Sequence, residues 1–311
     1  YKILDKQLLN YLVLSLLTDG PKEKFLAEKE LDFDYEINNK LRFRVNVYHT
    51  RGSFAATFRL IPEEIKTIED LNLPPILKMF AKLSQGCVLV VGPNGHGKST
   101  TLAAMIDLIN HERAEKIITI EDPIEYIFSP DKSIIDQREV YSDTVSFYKA
   151  LRSTFRENVN VIMVGELRDY DTISTAVTAA ETGHLVFASL HTNNATQSIE
   201  RIIDVFPSTQ QQQIISQLAN TISGVISMRL IPRIKGGLIP AVEVMVVTPA
   251  VRNIIRENKI HQLNLAIDTG ADSGMISLNR SLADLTLRGE ISYGQAEFYS
   301  LHPAELRALL K

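Results

Sequence analysis

The chain has 311 residues, of which 45% are hydrophobic, so it is long enough for roughly two domains with a sizeable core. Its 33 basic and 37 acidic residues give a net charge of −4, which argues against a dedicated nucleic-acid-binding protein, since such proteins usually carry a basic excess. Cys87 is the single cysteine, which excludes an internal disulfide and a zinc site built on paired cysteines. It lies in an apolar run and is expected in the core, in a protein of a reducing compartment.

The first 62 residues are predicted to form a small α+β domain. Residues 7–30 have helical character, and segments 32–37, 41–48 and 54–61 alternate polar and apolar residues. A period of two with one apolar face is typical of half-buried antiparallel strands, with turns expected at 38–39 and 51–52. No stretch reaches the roughly 18 apolar residues of a membrane span, so we expect no direct membrane insertion.

A second, larger domain is predicted after a linker at residues 63–72. Short apolar runs at 88–91, 116–120, 159–164 and 184–189 alternate with helical segments. Strands that are apolar on both faces and separated by helices predict a mostly parallel sheet covered on both sides, an α/β fold. We expect a helix from the prolines at 74–75 to about residue 83. Helices are also predicted beyond about residue 250, most clearly at 278–287 and 303–310.

Residues 92–99 match GxxxxGK[ST], the pattern of a phosphate-binding loop, between an apolar run and a helix predicted at 100–110. Glycines let backbone N–H groups converge on phosphate oxygens, and the helix N-terminus adds a favourable dipole. Lys98 is expected to reach the β- and γ-phosphates of ATP, and Ser99 to ligate Mg²⁺. The predicted ATP-binding residues are Gly92, Pro93, Asn94, Gly95, His96, Gly97, Lys98, Ser99 and Thr100.

Acidic residues follow two of the predicted strands. Glu166 ends the run at 158–166, which we expect to lie directly beside the strand that precedes the loop. There its carboxylate would face the γ-phosphate and polarise the attacking water, although a surface carboxylate at a strand end is the plainer alternative. Glu121, at the end of a second strand, is a candidate to share the water or metal site. Glu125 is a weaker candidate, because the Asp-Pro turn between them accounts for part of this cluster.

Histidines and arginines supply further candidates. His191 ends the strand predicted from residue 184 and could hydrogen-bond the γ-phosphate or a catalytic carboxylate, with His184 a weaker candidate. A zinc site is not expected, because no second pair of ligands lies at metal spacing. Phosphoryl transfer usually recruits an arginine, and none adjoins the loop. The candidate arginines lie on the predicted N-terminal sheet, where a solvated polar face is the alternative reading: Arg44, Arg51 and Arg59.

Four blocks in this order resemble the secretion and pilus ATPases: residues 92–101 as Walker A, 118–126 as the aspartate box, 159–169 as Walker B and 182–195 as the histidine box. The similarity runs through essentially the whole chain. Residues 249–257 look like the signature helix of the PilT retraction branch. Relatives in pilus extension and type II secretion usually carry a tetracysteine zinc module, which a chain with one cysteine cannot build.

The resemblance implies a RecA-like P-loop NTPase domain with a PAS-like N-terminal domain. It implies a homohexameric ring that hydrolyses ATP, with Glu166 and Glu121 as catalytic carboxylates and N-terminal arginines completing the site, some in trans. It also implies docking on the inner-membrane pilus platform protein, at the cytoplasmic face of the inner membrane, to drive pilus retraction and twitching motility. Family members normally begin with a further segment, so we expect the first domain to be incomplete.

Three departures from the family pattern stand out. His96 occupies a position that is usually Ser or Thr, Asn94 one that is usually Thr, and Asn160 one that is usually Asp. None supplies an obligatory side-chain ligand, so ATP binding is expected to survive. Alternative functions are an accessory retraction ATPase, a type II secretion-like motor, a nucleic-acid-binding RecA-type module and a non-hydrolysing sensor or scaffold.

Overall fold

The computed structural model describes residues 4–38, 41–61 and 64–311. The chain divides into two compact units, Tyr1–Glu64 and Ile65–Lys311. Part of the predicted turn at 38–39 and the start of the predicted linker at 63–72 lie outside the described residues. From Ile65 onward the linker segment belongs to the second unit, where Ile68 and Leu73 are buried in an apolar cluster.

In its described part, the first unit is a three-stranded antiparallel sheet preceded by two helices. The elements are α1 (Lys6–Ser15), α2 (Asp19–Glu28), β1 (Glu30–Ile37), β2 (Leu41–Thr50) and β3 (Ser53–Ile61). The helical stretch is two helices because the chain leaves helical geometry at Thr18. Phe25, Val45 and Val47 form the centre of the small core. Arg51 and Gly52 make the β2–β3 turn with positive φ angles of 49° and 71°, as tight hairpins require.

The second unit, described throughout residues 65–311, is a sheet covered by helices on both faces. Its strands are β4 (Gly86–Val91), β5 (Lys116–Glu121), β6 (Ile134–Glu139), β7 (Val161–Val164), β8 (Leu185–Leu190), β9 (Ile222–Pro232) and β10 (Leu238–Val246). Its helices are α3 (Leu77–Ala81), α4 (Lys98–Glu112), α5 (Phe147–Thr154), α6 (Tyr170–Glu181), α7 (Ala195–Asp204), α8 (Ser208–Thr221), α9 (Pro249–Arg256), α10 (Leu263–Thr269), α11 (Leu278–Leu287), α12 (Tyr293–Tyr299) and α13 (Pro303–Leu309). The α/β class and the C-terminal helices are confirmed.

The strand order of this sheet is β10-β9-β4-β8-β7-β5-β6, and only β10 runs antiparallel to its neighbour. The prediction that the strand leading to Glu166 lies directly beside β4 is therefore wrong. After β7, the chain crosses over through α6 and returns as β8, which is inserted between β7 and β4. Because parallel strands end at the same sheet edge, the tip of β8 separates the tips of β4 and β7.

Strands β6, β9 and β10 are not among the predicted elements. Strand β9 follows α8 directly, with Thr221 ending the helix and Ile222 beginning the strand, so no glycine or proline marks the change. The helix expected to reach residue 83 is only the short α3. Among the described helices, none combines the length and apolar character needed to cross a membrane.

Candidate nucleotide-binding and catalytic site

The glycine-rich loop joins β4 to α4 at the carboxyl edge of the sheet, and the backbone geometry favours glycine at two of its positions. Gly92 has a φ of +148°, and a Cβ there would lie 2.6 Å from the carbonyl oxygen of Met228 on β9. Gly97 has a φ of +90° and immediately precedes Lys98, the first residue of α4. The loop is thus packed against a neighbouring strand and leads directly into a helix N-terminus, an arrangement that suits phosphate binding.

Lys98 is largely buried and its ammonium group lies against the loop. Its Nζ donates to the carbonyl oxygens of Gly92 at 2.9 Å and Pro93 at 3.0 Å, and lies 3.2 Å from Nδ1 of His191. Burial lowers the pKa of Lys98, while the charges of Glu166 and Glu125 oppose that shift. These carboxylates help to keep the lysine cationic, which is the form that binds phosphate.

Glu166 and His191 lie on neighbouring strand tips and contact each other. Glu166 follows β7 and His191 follows β8, and His191 Nε2 lies 3.1 Å from Glu166 Oε1. Since His191 Nδ1 faces the lysine ammonium, it must accept a hydrogen bond, so Nε2 carries the proton and donates to the carboxylate. The result is a continuous polar chain from Lys98 through His191 to Glu166.

Arg168 also holds Glu166, and sequence reasoning did not single it out. Its Nε donates to Glu166 Oε2 at 2.7 Å, and its Nη1 lies 3.3 Å from Oδ2 of Asp122. The sequence signal that could have identified Arg168 was its position two residues after Glu166, just beyond the end of a strand. Both oxygens of Glu166 are therefore engaged, one by a histidine and one by an arginine.

Glu121 ends β5 and is almost completely buried. Its carboxylate accepts hydrogen bonds from the Thr119 hydroxyl at 2.6 Å, the Gln137 amide at 3.3 Å and the Glu125 backbone N–H at 3.4 Å. Burial outweighs these contacts and raises the pKa of Glu121 to about 7. The carboxyl group is therefore poised to exchange a proton near neutral pH.

The remaining loop residues differ in exposure. Ser99 and Thr100 are half-buried in the first turn of α4, and the Thr100 hydroxyl lies 2.8 Å from the Tyr126 hydroxyl. Asn94 and Gly95 are exposed at the loop tip, where a ligand can reach their backbone. His96 Nδ1 accepts a hydrogen bond from the backbone N–H of Leu230 at 2.9 Å.

Arg229 is a second residue close to the candidate site that sequence analysis did not identify. It is buried on β9, where its guanidinium donates to the carbonyl oxygens of Met228 and Asn193 at 2.8 and 3.0 Å. Burial lowers its pKa, and the charge of Arg229 in turn lowers the pKa of both His96 and Lys98. An arginine therefore lies near the loop in three dimensions although none adjoins it in sequence.

His184 is not part of this cluster. It precedes β8 at the opposite edge of the sheet, and its Nδ1 lies 3.0 Å from the carbonyl oxygen of Ala179. Across residues 4–38, 41–61 and 64–311, no group of three or more His, Cys, Asp or Glu side chains is arranged to hold a metal on its own.

The candidate arginines lie in the first unit. Arg44 on β2 and Arg59 on β3 are directly opposite in the register, so their side chains share one face of the sheet. Arg51 is exposed in the turn between these strands. Asp34 of β1 lies opposite Arg44 on the same face, so an acidic side chain next to this pair already supplies a counter-charge.

Comparison with known proteins gives consistent matches. The model of the type II/IV secretion system protein family matches residues 28–238. The chain is 44% identical over 289 residues to the type IV pilus retraction ATPase PilT of Pseudomonas aeruginosa, covering 93% of this chain and 84% of that protein. It is 45% identical to a twitching motility protein of Neisseria gonorrhoeae, covering 90% and 75%. A crystal structure of the pilus retraction motor PilT with bound ADP superposes with a TM-score of 0.90 at 44% identity, covering 96% and 85%.

Proposed function

The chain belongs to the family of type II/IV secretion system proteins, and we propose that its task is ATP-driven retraction of type IV pili. The observation that carries this proposal is the polar chain from Lys98 through His191 to Glu166 at the carboxyl edge of the sheet. It supports the proposal because a cation suited to phosphate and a carboxylate suited to act as a base belong to one chain of polar contacts, as ATP hydrolysis requires.

In the proposed mechanism, Lys98 exchanges its contacts with the loop carbonyls for the β- and γ-phosphate oxygens of ATP. Glu166 orients the attacking water and accepts its proton, and His191 links that carboxylate to the phosphate site. Glu121 lies on the strand next to β7 and supplies a second acid at the same edge. Since His191 contacts both Lys98 and Glu166, it would respond to whether the γ-phosphate is present.

Mg²⁺ fits the residues at this site. The cation prefers oxygen ligands and is usually held by one or two protein groups together with substrate phosphates. The Ser99 hydroxyl, at the second position of α4, would be its direct protein ligand, with Glu166 and Glu121 on nearby strand ends. When bound, Mg²⁺ would neutralise charge on the β- and γ-phosphates.

We further propose that the working form is a homohexameric ring at the cytoplasmic face of the inner membrane, docked on the platform protein of the pilus. Arg44 and Arg59 support this assembly, because they place two arginines on one sheet face of a unit separate from the loop. In the ring, the arginines of one subunit would approach ATP bound to another. Hydrolysis would then move subunits as rigid bodies and withdraw pilin.

The test compares two variants of the purified protein. Lys98→Ala should abolish nucleotide binding, measured by fluorescent ADP titration. Glu166→Gln should bind ADP normally but lower phosphate release by at least about a hundredfold, because it loses the base. Glu112→Gln, an exposed carboxylate at the end of α4, is the control and should match wild type. A Glu166→Gln variant with normal turnover would contradict the mechanism.

The cellular assignment has its own test in the native host. Deleting the gene should leave assembled pili on the surface and abolish twitching, and the wild-type chain should restore movement where Glu166→Gln does not. Loss of surface pili would instead indicate an assembly motor.

A further inference from the structure

Strand β9 extends beyond its neighbour β4, and the loop covers the exposed part of its edge. The last residue of β4, Val91, pairs with Ser227, whereas β9 continues to Pro232. Beyond Ser227, the β4 side of β9 has no strand partner from β4. The Leu230 N–H on this stretch is instead satisfied by the side chain of His96. The imidazole thus replaces a sheet hydrogen bond with a contact from the phosphate-binding loop.

The position of His96 in the loop makes this contact influential. It lies between Gly95 and Gly97, whose φ angles are +76° and +90°. Because glycine has broad conformational freedom, a side-chain anchor between two glycines limits the paths that the loop can follow. Lys98 begins α4 only two residues later, so the His96 contact also affects the position of the Lys98 ammonium group.

A second contact joins the same imidazole to the C-terminal helices. The ring centroids of His96 and Tyr299 are 6.4 Å apart with an edge-to-face angle of 73°. Tyr299 ends α12 and packs on an apolar cluster that includes Ile231 of β9. His96 therefore lies between the loop, strand β9 and the helix α12.

We propose that His96 is a positioning residue for nucleotide binding: its Nδ1 holds the phosphate-binding loop on Leu230 of β9 in the shape that binds phosphate. This rests on the loop binding nucleotide, as proposed above, but assigns to His96 a role that the motif itself does not require.

The electrostatic surroundings favour the neutral ring that this role needs. Nδ1 accepts the N–H only when it is unprotonated. The charged or titratable groups that face His96 are Lys98 from α4, Arg229 from β9 and Tyr299 from α12. Burial and the two cations, Arg229 and Lys98, lower the pKa of His96 below its ordinary value and so favour the neutral ring.

The test uses three substitutions in the full chain. His96→Ala removes the acceptor. His96→Asn places an amide oxygen near the position of Nδ1, whereas His96→Gln places it one bond further out. Affinity for fluorescent ADP should fall about three- to tenfold in the alanine and glutamine variants, the range expected for one hydrogen bond. The asparagine variant should stay within about twofold of wild type.

Steady-state kinetics should show the loss mainly as a higher KM for ATP, because the anchor acts on binding and not on the water attack. His111→Asn, an exposed histidine near the end of α4, is the control and should match wild type. Thermal unfolding without nucleotide should show that all variants fold.

Three results would overturn the proposal: wild-type affinity in His96→Ala, equal rescue by asparagine and glutamine, or a loss confined to kcat. A wild-type protein that binds no nucleotide would overturn both this inference and the proposed function. Normal wild-type binding with an inert His96 would overturn the inference alone.

Discussion

Lys98, His191 and Glu166 come from three segments of the chain that meet because parallel strands β4, β8 and β7 end at one edge. Sequence analysis predicted all three residues, since each follows a short apolar run. It could not predict that His191 lies between the other two, because strand order depends on long-range crossovers. The insertion of β8 is what lets the histidine touch both the lysine and the carboxylate.

Arg168 and Arg229 show a second limit of residue-level reasoning. Arg168 is near Glu166 in sequence, yet its second ion pair depends on the turn that brings Asp122 alongside. Arg229 is more than a hundred residues from the loop and becomes its neighbour only through the β4–β9 pairing. The sequence around a charged residue outside a motif does not show which groups that residue will contact in the folded protein.

The pH dependence of turnover is predicted to follow Glu121. Burial raises its pKa to about 7, so the carboxyl group is mostly neutral at pH 6 and mostly ionised at pH 8. If catalysis needs the carboxylate, kcat for ATP hydrolysis should rise about tenfold across this range, in proportion to the ionised fraction. The measurement is a pH–rate profile at saturating ATP.

The matched variant is Glu121→Gln, which keeps the shape of the side chain but does not ionise in this range. Its kcat should be low and vary little between pH 6 and 8. A glutamine variant with the same rising profile as wild type would assign the titration to another group.

At the scale of elements, β9 links the phosphate-binding loop, the segment after β8 that carries His191, and the C-terminal helices. Met228 approaches Gly92, the Ser227 hydroxyl donates to the Asn193 carbonyl oxygen, and Ile231 packs with the C-terminal apolar cluster. The strand was not predicted, because helix α8 runs into it without a turn residue and its sequence mixes Ser, Gly and Arg with apolar residues. The motif-bearing strands were predicted because they are short, apolar and clearly bounded.

Strand β9 must pack closely on α3, and Gly224 permits this. A Cβ at Gly224 would lie 2.3 Å from Cε1 of the fully buried Phe80 and 3.1 Å from the Met245 carbonyl oxygen. Gly224→Ala should therefore destabilise the protein by about 2 kcal/mol through overpacking. Chemical denaturation followed by circular dichroism measures the change.

Gly294→Ala provides the control, because a Cβ there meets nothing within 4 Å on helix α12. Alanine in a helix is favoured over glycine, so this variant should be unchanged or up to about 1 kcal/mol more stable. Equal stability of the two variants would show that β9 can shift away from α3 at little cost.

At the scale of the whole molecule, the proposed ring divides each active site between subunits. The loop, Glu166 and His191 lie in the second unit, and the paired Arg44 and Arg59 lie in the first. If the arginines act in trans, each site combines the second unit of one subunit with the arginines of a neighbouring subunit. A subunit whose own arginines are missing can then still hydrolyse ATP, provided that its neighbour has intact arginines. The defects should then complement each other within a mixed ring.

Arg44→Ala/Arg59→Ala subunits and Glu166→Gln subunits should each be inactive in homogeneous rings. Co-expressed in equal amounts with two different tags, they should regain about a quarter of wild-type ATPase activity. A working site needs an intact second unit beside a neighbour with an intact first unit, and in a random ring each condition is met about half of the time. Rings of Glu166→Gln and Lys98→Ala subunits are the control and should stay inactive, because both defects lie in the second unit. Mixed rings that remain as inactive as this control would mean that each subunit's arginines serve its own nucleotide. In a head-to-tail ring, a neighbour can replace a missing group only if the site is shared between the two subunits.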